Sequence, residues 1–168
     1  MKHLIIKGIG PDKPGIVAAI SGTITSNNGN IEESRMIRLG SEFSIIMMVK
    51  ISEDSLSNLS DGLESINDIK FYLTETKKLP NLDAPTHIMH LTGGDTEGIV
   101  HKMTDVMTSM GVNIIEIITD TKNAPITGTT VFEMTARISL NSSNKQKLVD
   151  ELKFLESKLG LEISLNKI

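Results

Sequence analysis

Two spacings of apolar residues alternate along this chain. From His3 to Ile9 (HLIIKGI) a short β-branched run, closed by Gly10-Pro11, predicts a buried strand. Ile16, Val17, Ile20 and Ile24 then recur every three or four positions, the spacing of one helix face. Asp12 offers that helix an N-cap, Pro14 fits its first turn, and Asn27-Asn28-Gly29 stops it. Ile31 to Leu39 mixes charged and apolar residues as a half-exposed strand does. Gly40-Ser41 is a turn, and Phe43 to Ile51 (FSIIMMVKI) is a second apolar strand, so the pair predicts a hairpin. After Ser52 the helical spacing returns with Leu56, Leu59, Leu63 and Ile66, although Gly62 disfavours a helix interior. Lys70 to Thr76 closes the series as a strand.

The series then repeats. Thr86–Leu91 is read as a strand, about Thr96–Met110 as a helix, Ile114–Asp120 and Thr130–Ile138 as strands, about Ser143–Leu159 as a helix, and Leu161–Leu165 as a strand. Asp12 is matched by Asp95, Gly15 by Gly98 and Asn30 by Asn113, each pair 83 positions apart, so the register holds without a gap. Ile99, Val100, Met103 and Met107 take the places of Ile16, Val17, Ile20 and Ile24, and the same core face is expected of both helices. Each unit reads β-α-β-β-α-β, an α+β fold of ferredoxin-like type with two helices on one face of a four-stranded antiparallel sheet. The expected boundaries are 1–76 for the first unit, 77–85 for a proline-containing linker and 86–168 for the second unit. A longer hairpin loop, Thr121–Gly128, marks the second copy.

Composition narrows the function classes. Units of this size have marginal cores, so packing against each other or a second chain is expected. Lys and Arg number 17 against 21 Asp and Glu, a net charge of −4 that gives no reason to expect a nucleic-acid surface, although Lys77 and Lys78 form a local basic pair. Cysteine is absent, which removes disulfides, thiolate metal sites and cysteine nucleophiles. The N-terminal MKHLIIKGIG is too short an apolar run for a signal peptide, and no stretch reaches 18 apolar residues; a soluble cytoplasmic protein is expected. An RNA-recognition module shares the element order, but it needs aromatic residues on its sheet and a basic surface. Here there are four Phe, one Tyr and no Trp.

Individual residues exclude further chemistry. His87 and His90 point to opposite faces of a strand, and His101 is read as lacking a partner at i+4, so no metal site is expected. Met103, Met107 and Met110 are read as core filler. Glu32 and Glu33, adjacent on a strand, are expected to face opposite ways and so make a poor acid pair. Gly8 and Gly10 begin no nucleotide loop. Neither Ser21 nor His101 belongs to a recognisable nucleophile and base set, and no enzyme activity or cofactor is expected.

What is left is the loop before the first helix. A helix start presents unpaired N–H groups and positive dipole, an anion site, and Gly15 and Gly98 carry no side chain there. Asp12 and Asn30 lie at opposite ends of one helix, so a ligand meeting both would lie between two units. An Asp carboxylate and an Asn amide would suit a free amino acid. The residues alone are adequately met by Asp12 and Asp95 as N-caps, the glycines as packing residues and the asparagines as turn formers.

The run DKPGIV (Asp12–Val17), followed by Asn30-Ile31 at the next strand, resembles the signature of the ACT domain, a small regulatory module that binds amino acids. The second copy, DTEGIV (Asp95–Val100) with Asn113-Ile114, is similar but has Glu97 in place of the proline. A free-standing pair of such units, without a catalytic domain, resembles the group of transcriptional repressors of the glycine cleavage system. The resemblance implies side-by-side pairing of units into a continuous sheet and effector binding at the pair interface. It implies ligand contacts at Asp12, Lys13, Pro14, Gly15 and Asn30, and at Asp95, Thr96, Gly98 and Asn113. Glu97 would compete with an incoming anion at the second loop. The resulting expectation is a homodimeric, non-catalytic sensor of a small amino acid such as glycine or serine. It would modulate a partner such as a transcription factor, without contacting nucleic acid or membrane itself. A ligand-independent adaptor is the alternative.

Overall fold

The computed structural model describes residues 1–77, 86–123 and 128–168. The expected linker lies outside these except for Lys77, as do residues 124–127 of the longer hairpin loop. Chain contacts divide the protein into two compact units, Met1–Pro80 and Asn81–Ile168.

In the first unit β1 (Lys2–Pro11), α1 (Ile16–Ser26), β2 (Asn30–Leu39), β3 (Glu42–Ile51), α2 (Leu56–Glu64) and β4 (Lys70–Thr76) follow one another. The sheet order is β2-β3-β1-β4, antiparallel throughout. The second unit repeats this with β5 (His87–Gly94), α3 (Ile99–Ser109), β6 (Asn113–Asn123), β7 (Thr130–Ser139), α4 (Lys145–Leu159) and β8 (Leu161–Lys167), in the order β6-β7-β5-β8. Both are ferredoxin-like. Short 3-10 turns at 53–55 and 142–144 lead into α2 and α4.

Each unit has its own core, filled from alternate strand positions and one stripe of each helix. Ile6, Ile20, Val49, Ile51, Leu59 and Leu63 are fully buried in the first, and Met89, Met103, Met107, Ala136, Ile138 and Leu148 in the second. The methionines thus fill core, as expected. Val17 and Val100 do not: they are 44% and 39% exposed, because each stands about 100° round its helix from the buried i, i+4, i+8 stripe of Ile16, Ile20 and Ile24 or of Ile99, Met103 and Met107. Gly62 sits where α1 crosses α2; a Cβ there would come 2.8 Å from Thr23 Cγ2, so close helix approach explains a residue that helix propensity disfavours.

The stop of α1 matches its sequence signal. Asn28 is left-handed at φ 57°, with Gly29 N–H donating to the Ile24 carbonyl at 2.9 Å and Asn28 N–H to Thr25 at 3.0 Å. Gly111, Val112 and Met107 repeat this double closure at the end of α3.

A bulge interrupts the β2–β3 ladder between Ile31 and Glu33, and another the β6–β7 ladder between Ile114 and Glu116. It corrects the expected alternation of the two glutamates. Glu33 lies opposite Met48 and Glu32 reaches His3 Nε2 at 3.3 Å, so both occupy the sheet face away from the helices.

His87 is buried at 6% exposure while His90 is exposed, the opposite facing expected of them. Its Nδ1 lies 2.9 Å from Thr86 Oγ1, and its Nε2 is buried without a hydrogen-bond partner. Burial, and then the charges of Lys145 and Lys167, hold its pKa below the ordinary 6.5. His101 does have a partner at i+4, since Asp105 Oδ2 lies 3.5 Å from its Nε2. Among the described residues no three His, Asp or Glu side chains are placed to hold a metal ion, and no helix is long and apolar enough to cross a membrane.

Candidate functional site

The loop between β1 and α1 is fixed at both ends. Pro11 pairs with Glu42 across the sheet, and Asp12 N–H donates to the Ser41 carbonyl at 2.8 Å, so the β2–β3 turn holds the loop's first residue. At its other end Gly15 takes φ 90° and stands at the N-cap, its carbonyl accepting the first helical bond from Ala19 at 2.9 Å.

Asp12 is therefore not the cap, nor is Asp95, and no side chain caps either helix start. The sequence placed the cap at the residue type that favours it; the chain needs three more residues to turn from strand to helix, and a left-handed glycine makes that turn. Pro14 accordingly precedes the helix. The glycines are not packing residues either, because a Cβ on Gly15 or Gly98 would meet nothing within 4 Å. Each leaves open space in front of uncapped N–H groups.

That space is a groove of about 440 Å³ lined by Asp12, Lys13, Gly15, Val17, Ser21 and Phe43, among others. Charge surrounds its mouth. Arg38 Nη1 on β2 lies 3.7 Å from Asp12 Oδ2, and Lys13 Nζ pairs with Asp68 in the α2–β4 connection. The same connection touches the end of β1 closely: a Cβ on Gly10 would come 2.1 Å from the Asp68 carbonyl oxygen. Three segments thus converge on this loop.

The second loop shares the backbone and lacks the charge. Asp95 N–H donates to the Thr130 carbonyl at 3.3 Å, and Gly98, at φ 78°, caps α3. Thr96 stands for Lys13 and bonds the Gly94 carbonyl at 3.1 Å, while Thr121 and Gly160 stand, by ladder register, for Arg38 and Asp68. Among the described residues Asp95 has no ion pair. Glu97 is exposed immediately before the cap.

Of the residues expected to share a site, Asp12, Lys13 and Gly15 meet at the groove. Asn30 does not join them. It pairs with Lys50, in the row of His3, nine residues along β1 from Asp12, or about 30 Å at strand rise. Asn113 opens β6 in the equivalent place, opposite Ser139. Arg38, Asp68, Ser21 and Phe43 were missed. Spacing gave no signal for them: Ser21 stands further along α1 itself, Arg38 and Phe43 come in on β2 and β3, and Asp68 on the α2–β4 connection.

A duplicated split βαβ unit, each copy opening its first helix through a left-handed glycine beside an aspartate, defines a class of small α+β modules. Residues 2–69, within the first unit, belong to the ACT-domain family, whose model matches them. Its relatives include the glycine cleavage system transcriptional repressor of Escherichia coli (strain K12), 27% identical over 126 residues, which cover 73% of this chain and 66%, just under two thirds, of that protein. A UPF0237 protein of Methanococcus maripaludis is 37% identical over 68 residues, 39% of this chain and 76% of that one. The solved structure of an unknown protein from Galdieria sulphuraria matches with a TM-score of 0.88 at 28% identity, over 99% of this chain and 98% of that one. Family and relatives support a regulatory role.

Proposed function

We propose that this chain is a non-catalytic regulator that binds a small amino acid where ACT units pair and passes the bound state to a partner. The relation to a glycine cleavage repressor directs the reading toward control of glycine metabolism through a transcription regulator. The observation that carries it is the first groove, where uncapped helical N–H groups and a glycine without neighbours stand beside the Asp12 carboxylate. The N–H groups suit a ligand carboxylate, and Asp12 suits an ammonium group. Asn30 or Asn113 of a paired unit would supply the amide, since each opens its strand at the end of the sheet away from its own unit's loop aspartate.

The mechanism is linkage: the ligand favours the paired arrangement by its differential affinity for it, and the partner responds to that arrangement. Glu97 and the missing Lys13 equivalent make the second loop the weaker anion site.

Calorimetric titration with glycine, serine and other amino acids tests this. Heat with one of them, lost in Asp12→Asn, is expected; no heat with any at millimolar concentration overturns the sensing function and leaves the ligand-independent adaptor.

A further inference from the structure

The two sheets share one register and finish their helix-free faces differently. Paired residues of a ladder point to the same side, so register gives each face position by position. In the first unit two adjacent rows run Arg35–Ile46–Lys7–Tyr72 and Ile37–Ser44–Ile9–Lys70. Ile9, Ile37, Ile46 and Tyr72 are 45–59% exposed there, around a shallow depression of about 400 Å³. The equivalent rows of the second unit are Ile118–Thr135–His90–Ser164 and Asp120–Glu133–Thr92–Glu162. Ile9, Ile37, Ile46 and Tyr72 are thus answered by Thr92, Asp120, Thr135 and Ser164. The same fold accepts hydroxyls and a carboxylate at these places, so folding does not require the apolar set; a contiguous exposed patch of this kind marks an interaction surface.

We propose that a second copy of this chain covers it, the helix-free face of one first unit packing on that of the other. Size permits this: four strands about 4.8 Å apart and some 30 Å long offer roughly 600 Å² per copy, or about 1,200 Å² in all, the lower bound of stable interfaces. Charge permits it in one arrangement. Packed sheets keep their strands within about 30° of alignment. A two-fold axis along the strands lays β2 over the partner's β4 and β3 over the partner's β1. Arg35 then stands over the partner's Tyr72, a cation on an aromatic face, and Ile46 over the stem of the partner's Lys7. Ile37 meets the stem of the partner's Lys70, and Met48 the partner's Ile5. Lys50 stands over the partner's His3, which the Glu32 carboxylate accompanies, and in the other rows no cation faces a cation. This surface is separate from the sheet edges that side-by-side pairing uses, and it does not depend on ligand binding.

Sedimentation velocity of the full chain, with no amino acid added, tests the assignment. The wild-type chain is expected to be dimeric at tens of micromolar. Ile9→Thr/Ile46→Thr/Tyr72→Ser, which installs the residues the second unit carries at those positions, is expected to associate roughly a hundredfold more weakly. Ile88→Thr on the corresponding face of the second unit leaves the dimer unchanged. Should circular dichroism show the triple variant misfolded, Tyr72→Ser alone, at an exposed edge-strand position, must weaken association about tenfold. A monomeric wild-type chain, or a folded variant that stays as dimeric as wild type, overturns the proposal.

Discussion

Gly15 and Gly98 hold positive φ with empty space beyond, so an alanine at either place costs backbone energy alone. Gly15→Ala and Gly98→Ala are expected to lower stability by about 1 kcal/mol in chemical denaturation. Gly10→Ala is expected to cost several times more, because its Cβ would press on the Asp68 backbone, which cannot rotate away. These glycines were visible in the sequence as a repeated letter. Their reasons were not, since φ and neighbours belong to the folded chain, and Asp12 looked like the cap for want of them. His87 adds a pH effect. Its folded pKa lies below its unfolded 6.5, so the unfolded chain takes up the proton first as pH falls; stability is full above 6.5 and declines as pH drops from there toward the folded pKa. Thermal unfolding followed between pH 7 and 5 should show this decline, and His87→Leu should flatten it.

Among the elements, helix register separates residues that the apolar spacing grouped together. Met103 is fully buried and Val100 exposed on the same helix, so Met103→Ala is expected to cost about 2–5 kcal/mol and Val100→Ala under about 0.5 kcal/mol in equilibrium unfolding. The spacing identified the helix, and it overreached by one position because Val17 and Val100 sit one residue off the buried i, i+4, i+8 stripe, about 100° round the helix. The end of α1 was legible, since Asn28-Gly29 carries the closing residues in its letters. The bulges were not, because an extra residue in a mixed strand leaves no trace in alternation already broken by charge.

For the whole molecule, duplication made the fold readable, since each unit checks the other's element order. The candidate site was readable only along the β1–α1 loop; Arg38 and Asp68 reach it through sheet pairing and a loop crossing, which linear spacing does not encode. Two separate cores mean that Ile20→Ala should lower amide protection in β1 and β3 and leave β5 and β7 unchanged, as read by hydrogen-exchange mass spectrometry. The paired bulges bear on how such a chain reaches its fold. Because β2 and β6 carry the same irregularity at the same place, each is a ready template for the other's hairpin partner. A ribosome releases the first unit before the second exists, and exchange between repeats has no opportunity. Refolding of the complete chain from denaturant offers both strands at once, and should populate repeat-swapped species that vectorial synthesis avoids.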